Sequence, residues 1–578
     1  MKKVISLLLA LALCLSVVAC SSNTSSDTQQ NTGDTTTSDG NTTTTTTGDG
    51  GLVINIASGY SEPHSMDPSI ATGVDQAQIL VHMFDGLMKY NASGEAGNNP
   101  NTQTAILGCG QAESYEYDEE TLTYTFHLRD DIKWSDGKDV TAQDYVYAWQ
   151  RLVDPATTAT FGNMLNDIVV NAREINEGTK DPSELGVTAI DEKTLEVKLA
   201  NPCAYFLGLC ASYQLYPLRQ DAVESSPTWT EPETYISNGA YRMVEWVHDS
   251  YIALEKNENY YDYENLGPDR IVFHLSDNQT SNFAGYQSGE YDFLSGVPAD
   301  QIESLRASGE LYSNSQLVVT YLYLNMDNLP DWRVRAAITL AIDRDNIVNN
   351  VTQDGSEAAT CLIPGGITLS DGTSWTEAAG GSMFAGLQEM YPDYDLSTYA
   401  GRCELAQVLY DEAVADGWDS NASIDYQYNT SDTNRAIAEA VQADLNNVLG
   451  ISMTLNNIDS ASYTATISQG NFKVARLGND ISFNDAIGFY DYFGTNGSYE
   501  YSNWSNAEYD ELKAQAKGMI GGPERDEILM EMERIMFTED NFPLSPLYYN
   551  TYTYCMKTDI QNVSYCMGYM FNFSYATR

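Results

Sequence analysis

Basic residues are scarce in this sequence: 29 lysines and arginines stand against 81 acids, a net charge of −52. Nucleic-acid binding needs a basic footprint, so no nucleic-acid partner is expected. A charge of this sign favours solubility but names no ligand. Histidine is scarcer still. His64, His82, His127, His248 and His274 are the full set, and no two are spaced as HExxH or HxH. His127 falls in a strand pattern and reads as structural. The sequence also lacks a CxxC pair, a GxSxG elbow, a P-loop, a dinucleotide glycine motif and an EF-hand loop. Each absence removes a chemistry: zinc ribbons and thioredoxin-like redox sites, serine hydrolases of the elbow type, nucleotide enzymes and calcium loops. No metal and no cofactor is expected. Neighbouring acids such as Glu119-Glu120, Asp130-Asp131 and Glu531/Glu533 are frequent. Among 81 acids they read as solvated faces, which leaves a glycosidase without residue-level support.

Long apolar runs are missing as well. The longest is N-terminal, in MKKVISLLLALALCLSVVAC, where Lys2 and Lys3 precede an apolar stretch too short to span a bilayer. Val17-Val18-Ala19-Cys20 matches the bacterial lipobox, so residues 1–19 read as a lipoprotein signal peptide and Cys20 as the acylated residue. Residues 20–51 are rich in Thr, Ser, Asp and Gly and read as a disordered tether, with a root-mean-square reach of about 30 Å as a flexible coil. The mature protein is therefore expected on the extracytoplasmic face of a bacterial cell membrane, held by lipid. Seven further cysteines follow Cys20, an odd number that cannot all pair within one chain.

From Leu52 onward strands and helices alternate. In TLTYTFHLR, Leu122, Tyr124, Phe126 and Leu128 follow the two-residue period of a half-buried strand; LEVKLA (195–200) and ISMTLN (451–456) repeat it. In TAQDYVYAWQRLV, Thr141 and Asp144 form a capping-box pair, and Tyr145, Trp149 and Leu152 share a helix face. In RAIAEAVQADLNNVLG, Ile437, Val441, Leu445 and Val448 make a stripe, and Gly450 stands where the helix would end. Residues 333–351 read as another amphipathic helical region. The class is mixed α/β, and no repeat of 20–50 residues suggests a solenoid. The 40 tyrosines and 8 tryptophans are mostly core material, with a minority suited to a ligand cleft.

Residues 123–155, TYTFHLRDDIKWSDGKDVTAQDYVYAWQRLVDP, closely resemble the hallmark segment of the extracytoplasmic solute-binding proteins (family 5) of oligopeptide and dipeptide ABC importers. Matching segments follow in order: EPHSMDP (62–68), FDGL (84–87), LGVTAIDEKTLEVKLANPCAYF (185–206), SNGAYRMVEW (237–246), LEKNENYYD (254–262), VRAAITLAIDRDNIV (334–348) and PLSPLYYNTY (543–552). The resemblance implies a two-lobe, periplasmic-binding-protein-like α/β fold of the class II, cluster C type with an extra subdomain. Lobe I would comprise 52–84, 205–318 and 543–578, its subdomain 85–204, and lobe II 319–542. WSDG (134–137) and IDR (342–344) read as fold determinants, with Trp134 in the core and Arg344 capping or pairing at a helix junction.

The implied mechanism is capture: a peptide or other small solute docks on one lobe, the other closes over it, and permease and ATPase subunits receive it. A monomer is expected. The resemblance places Thr72, Gly73 and Val74 on the segment that pairs with ligand backbone, Gly73 either permitting close approach or serving only as a turn glycine. KVARLGNDISFNDA (473–486) aligns with the other ligand-facing segment. There the family carries a tryptophan where Asn479 stands, and an amino-group-binding aspartate where Ser482 stands. Arg476 and Gly478 are kept, and Asp480 lies two residues from Ser482 on the same side of an extended chain. A serine supplies no charge to an ammonium. The ligand is thus either a peptide, with Asp480 substituting, or another solute on the same fold, such as a glycan, modified peptide or metal chelate. A surface hydrolase, adhesin or sensor is the remaining alternative.

Overall fold

The computed structural model describes residues 51–97, 99–298, 301–378, 382–481, 483–495, 497–566 and 570–578. Cys20 and the tether up to residue 50 lie outside them, as does Ser482.

Two large hydrophobic cores organise the described chain. One is built from residues between Leu317 and Tyr549, the other from residues between Ile54 and Phe293 together with Tyr554–Ala576. A single mixed sheet of eleven strands runs through both. On one side, Val53–Ala57 lies parallel to both Arg270–His274 and Phe293–Ser295. On the other, Ile424–Asn429 lies parallel to both Met453–Ile458 and Val474–Asp480. Between the halves runs an antiparallel ribbon of two long strands, Leu311–Leu324 and Leu544–Met556. The ribbon's ladder is interrupted at the changeover. Ser315 pairs with Thr551 and Val319 with Tyr549, so residues 316–318 face Asn550 alone.

Two four-stranded sheets complete the first core. Ala112–Asp118, Thr123–Leu128, Val187–Ala189 and Thr194–Lys198 form one. Met88–Ala96, Thr102–Cys109, Val563–Cys566 and Met570–Asn572 form the other. Tyr124, Trp134 and Trp149 from the 85–204 segment belong to the same hydrophobic cluster as Ile54 and Ile271, so that segment shares the core beside it.

Local sequence accounts for most elements. The Ala142–Val153 helix starts at Thr141, whose backbone N–H donates to Asp144 at 2.8 Å, and it buries Tyr145, Trp149 and Leu152. Asp432–Leu449 buries Ile437, Val441 and Leu445 and stops at Gly450, whose φ of 67° is the left-handed C-cap geometry. Trp134 is fully buried. Three elements depart from expectation. Leu122 leaves its strand, adopting φ 54° in the preceding turn. The strand expected at 451–456 runs Met453–Ile458. The helical region 333–351 breaks at Ile342 and Asp343, because Arg344 turns inward instead of continuing an amphipathic stripe. Its guanidinium donates to the carbonyls of Pro546 (2.6 Å) and Thr339 (3.0 Å) and to Ser545 Oγ (3.0 Å). Burial lowers its pKa to about 9.

All seven cysteines of the described chain are free thiols, with Cys203, Cys210, Cys361, Cys555 and Cys566 buried. Among the described residues no helix is long and apolar enough to cross a membrane.

Candidate functional site

A cavity of about 690 Å³ lies where the two cores face each other beside the ribbon. The hairpin Met88–Ala96/Thr102–Cys109 forms one wall and contributes Tyr90, Ile106 and Leu107. Ile106 is 57% exposed and Leu107 38%, unusual for large aliphatic side chains. Tyr205 and Leu207 come from the segment entering the short Phe206–Leu209 helix. Asn314, Ser315 and Leu317 come from the ribbon, at its interrupted ladder. Phe483 and Asn484 close the far side with Gly366 and Thr368.

Phe483 stacks on Tyr205 with ring centroids 3.9 Å apart and planes inclined by 10°. Gly488 makes room for this ring, since a Cβ there would stand 3.1 Å from it. Asn484 Nδ2 donates to the Gly366 carbonyl at 3.1 Å and ties two wall segments together. Behind the stack lies a recess of about 180 Å³, also lined by Asp491 and Lys517, which pair with each other at 3.0 Å.

The residues expected from sequence fall into two groups, and none of those described lines this cavity. Thr72, Gly73 and Val74 form the start of the Val74–Met83 helix. The backbone N–H groups of Thr72 and Gly73 both donate to Gln76 Oε1, at 3.2 and 2.5 Å. Gly73 is extended at φ −103°, so no left-handed turn requires glycine there. A Cβ would instead collide with the side chains of Asp75 and Gln76.

The second group lies on Val474–Asp480, which pairs with both the ribbon and Ile424–Asn429. Arg476 makes no ion pair among the described residues. Its Nη1 reaches Asn429 Oδ1 at 3.4 Å, and its buried Nε has no partner. Gly478 lies opposite Thr320, where a Cβ would approach Oγ1 to 3.2 Å. Asn479 is only 7% exposed, and its Nδ2 is unpartnered. Asp480 is exposed at the strand end, and its carbonyl accepts from Tyr492 at 2.6 Å. Asp485, another charge of the same segment, is buried against Arg525 at 3.0 Å and serves the fold.

Sequence reasoning missed the cavity walls. Phe483 stood inside the right segment, and Tyr205 lay next to the end of a matching one, but nothing in either signalled their stacking. Among the described residues no cluster of three His, Cys, Asp or Glu could hold a metal.

Two cores joined by a ribbon, with a roomy cavity between them and one wall contributed by each, define a two-lobe solute-binding protein. The chain belongs to the Bacterial extracellular solute-binding proteins, family 5, whose middle-region model matches residues 110–501. This is a family of binding proteins and not of enzymes. The oligopeptide-binding protein OppA of Bacillus subtilis (strain 168) is 29% identical over 525 residues, covering 89% of this chain and 90% of its own. Among solved structures, the unliganded open form of the periplasmic murein tripeptide binding protein MppA matches with a TM-score of 0.75 at 28% identity, over 88% of this chain and 93% of its own. OppA of Haemophilus influenzae in complex with RPPGFSPFR matches with a TM-score of 0.64 at 28% identity, over 89% and 96%.

Proposed function

We propose that this protein is the lipid-anchored substrate-binding component of an ABC importer, capturing oligopeptides between two closing lobes and delivering them to a membrane permease. The observation that carries this reading is the 690 Å³ cavity bounded by both cores, a volume within the range of sites that enclose small ligands. The relatives named as peptide-binding proteins support the choice of peptides. The higher TM-score to an unliganded open form supports an open starting state. Lobe I comprises 52–84, 205–318 and 543–578, with 85–204 as its subdomain, and lobe II comprises 319–542. Thr72, Gly73 and Val74 contact the ligand from lobe I. Arg476, Gly478, Asn479, Asp480 and Ser482 contact it from lobe II, with Arg476 supplying positive charge and Asp480 negative. Because Gln76 holds the N–H groups of Thr72 and Gly73, ligand backbone must displace its side chain to pair there. Cys20 carries the lipid, and the protein works as a monomer on the extracytoplasmic face of the membrane.

Mass spectrometry of gently denatured protein purified from its native host tests the reading. Release of mixed peptides is expected. A single non-peptide compound would favour the second reading, a non-peptide solute on the same fold, which the neutral Ser482 at the amino-anchor position favours.

A further inference from the structure

We infer that the 690 Å³ chamber selects ligand side chains that carry no charge, bulky apolar and aromatic ones above all; the inference rests on the peptide reading and specifies its substrates.

Its lining is the first reason. Charged residues make up 19% of the chain, yet no Asp, Glu, Lys, Arg or His is among the described residues that line the chamber. Aromatic faces and aliphatic chains dominate instead, with Tyr90, Tyr205 and Phe483 around Ile106 and Leu107. The polar groups among them are amides and hydroxyls, such as Asn314 and Asn484, which pair with a peptide backbone as readily as with water. An ammonium or carboxylate enclosed there would lose its hydration and find no counter-ion among the described lining residues, an unfavourable exchange.

One charge touches the lining from outside: Glu357, exposed to water, accepts from the Ser315 hydroxyl at 3.4 Å. Asp491 and Lys517, in the recess behind the aromatic stack, neutralise one another at 3.0 Å. Arg476 and Asp480 lie on the neighbouring strand outside the lining and are available to ligand termini. The net charge of −52 further disfavours acidic side chains.

The exposed pair Ile106 and Leu107 is the second reason. Large aliphatic side chains left in water gain by being covered. A ligand side chain of like polarity covers whichever of the two faces the chamber; a charged one does not.

Titration calorimetry with pentapeptides tests this, each carrying Phe, Leu, Lys or Glu at one position in an alanine background, the variable residue being moved through all five. At one or more positions Phe and Leu are expected to bind roughly tenfold or more tightly than Lys and Glu. Ile106→Glu, at an exposed position, is expected to bring the Lys peptides at that position to within a few-fold of Phe. Equal affinities for charged and uncharged side chains at every position would overturn the inference while leaving the peptide reading intact. No binding of any peptide by folded protein would overturn the peptide reading and this inference together.

Discussion

Tyr205 and Phe483 lie ring on ring, 3.9 Å between centroids, although 278 residues separate them in sequence and each packs against both hydrophobic cores. The pair lies where the two hydrophobic cores meet at the cavity wall, and both rings line the main chamber and the recess ending at Asp491 and Lys517. Aromatic pairs of this kind contribute about 0.5–1.5 kcal/mol beyond the area they bury. Phe483→Ala is therefore expected to merge the two cavities and weaken ligand binding by about tenfold, while Phe483→Tyr keeps the affinity. Calorimetry with a bound peptide reads this directly, and an unchanged dissociation constant for the alanine variant refutes it.

Stability should fall as pH rises from about 4.5 to about 7. Glu533 is buried and Glu500 half-buried, and desolvation raises the pKa of each to about 7 from an ordinary 4.5. Between those values the folded state binds more protons than the unfolded state, so its advantage is complete below 4.5 and is lost through 7. A shift of that size is worth about 3 kcal/mol per group. Glu533 accepts from the Leu362 N–H at 2.8 Å and from the Tyr490 hydroxyl at 2.7 Å. A glutamine carbonyl retains the first bond, and its amide reverses the second. Urea denaturation of Glu533→Gln across pH 5–8 should thus show a clearly flatter profile than the parent. A parallel profile would show that Glu533 does not titrate in this range.

Arg344 is worth more to the fold than its charge. It satisfies the carbonyls of Thr339 and Pro546 and the hydroxyl of Ser545 at a buried helix break. Arg344→Ala should cost about 3 kcal/mol or more, since each buried acceptor left without a donor is penalised. Arg344→Lys should recover only part, because a single ammonium cannot reproduce the planar fork. Full recovery by lysine in thermal unfolding would contradict this account.

Asp480 is the exposed acid nearest in sequence to the neutral Ser482. Asp480→Asn is expected to reduce affinity for peptides with a free amino terminus and to leave N-acetylated peptides unaffected, by several-fold at an exposed position. Equal effects on both peptide sets would remove Asp480 from the anchoring role.

What the sequence disclosed follows from how local each signal is. The capping pair Thr141/Asp144 and the stripe ending at Gly450 are written within one helix each, and both were legible. The two-lobe class was legible through many ordered segments. The helix junction was legible in part: Arg344 read as capping or pairing there, as it does with the local Thr339 carbonyl, but its partners Pro546 and Ser545, two hundred residues away, left no local mark. The cavity was hidden for the same reason. Its walls come from six stretches of the chain, and the adjacent pair Ile106-Leu107, pointing to opposite faces of a strand yet both exposed, breaks the periodicity that marks a buried face. The charges of KVARLGNDISFNDA were conspicuous, yet Asp485 serves Arg525, while the uncharged Phe483 and Asn484 form the cavity wall.

The interrupted ladder of the ribbon has a mechanical meaning. Before the interruption Leu311–Ser315 is paired in register with the opposite strand; after it Val319–Thr320 pairs again, and a second shift between Thr320 and Tyr321 precedes Tyr321–Tyr323. Three residues face one at the first shift and the register slips again at the second, so the slack in the backbone is confined to residues 316–321. Bending there breaks no rung on either side, and the Thr320–Asn550 hydrogen bond at 2.9 Å works as a pin beside the axis. Such a joint carries torque from one end of the ribbon to the other with little elastic resistance, so the ribbon itself adds little force for or against the two cores approaching each other.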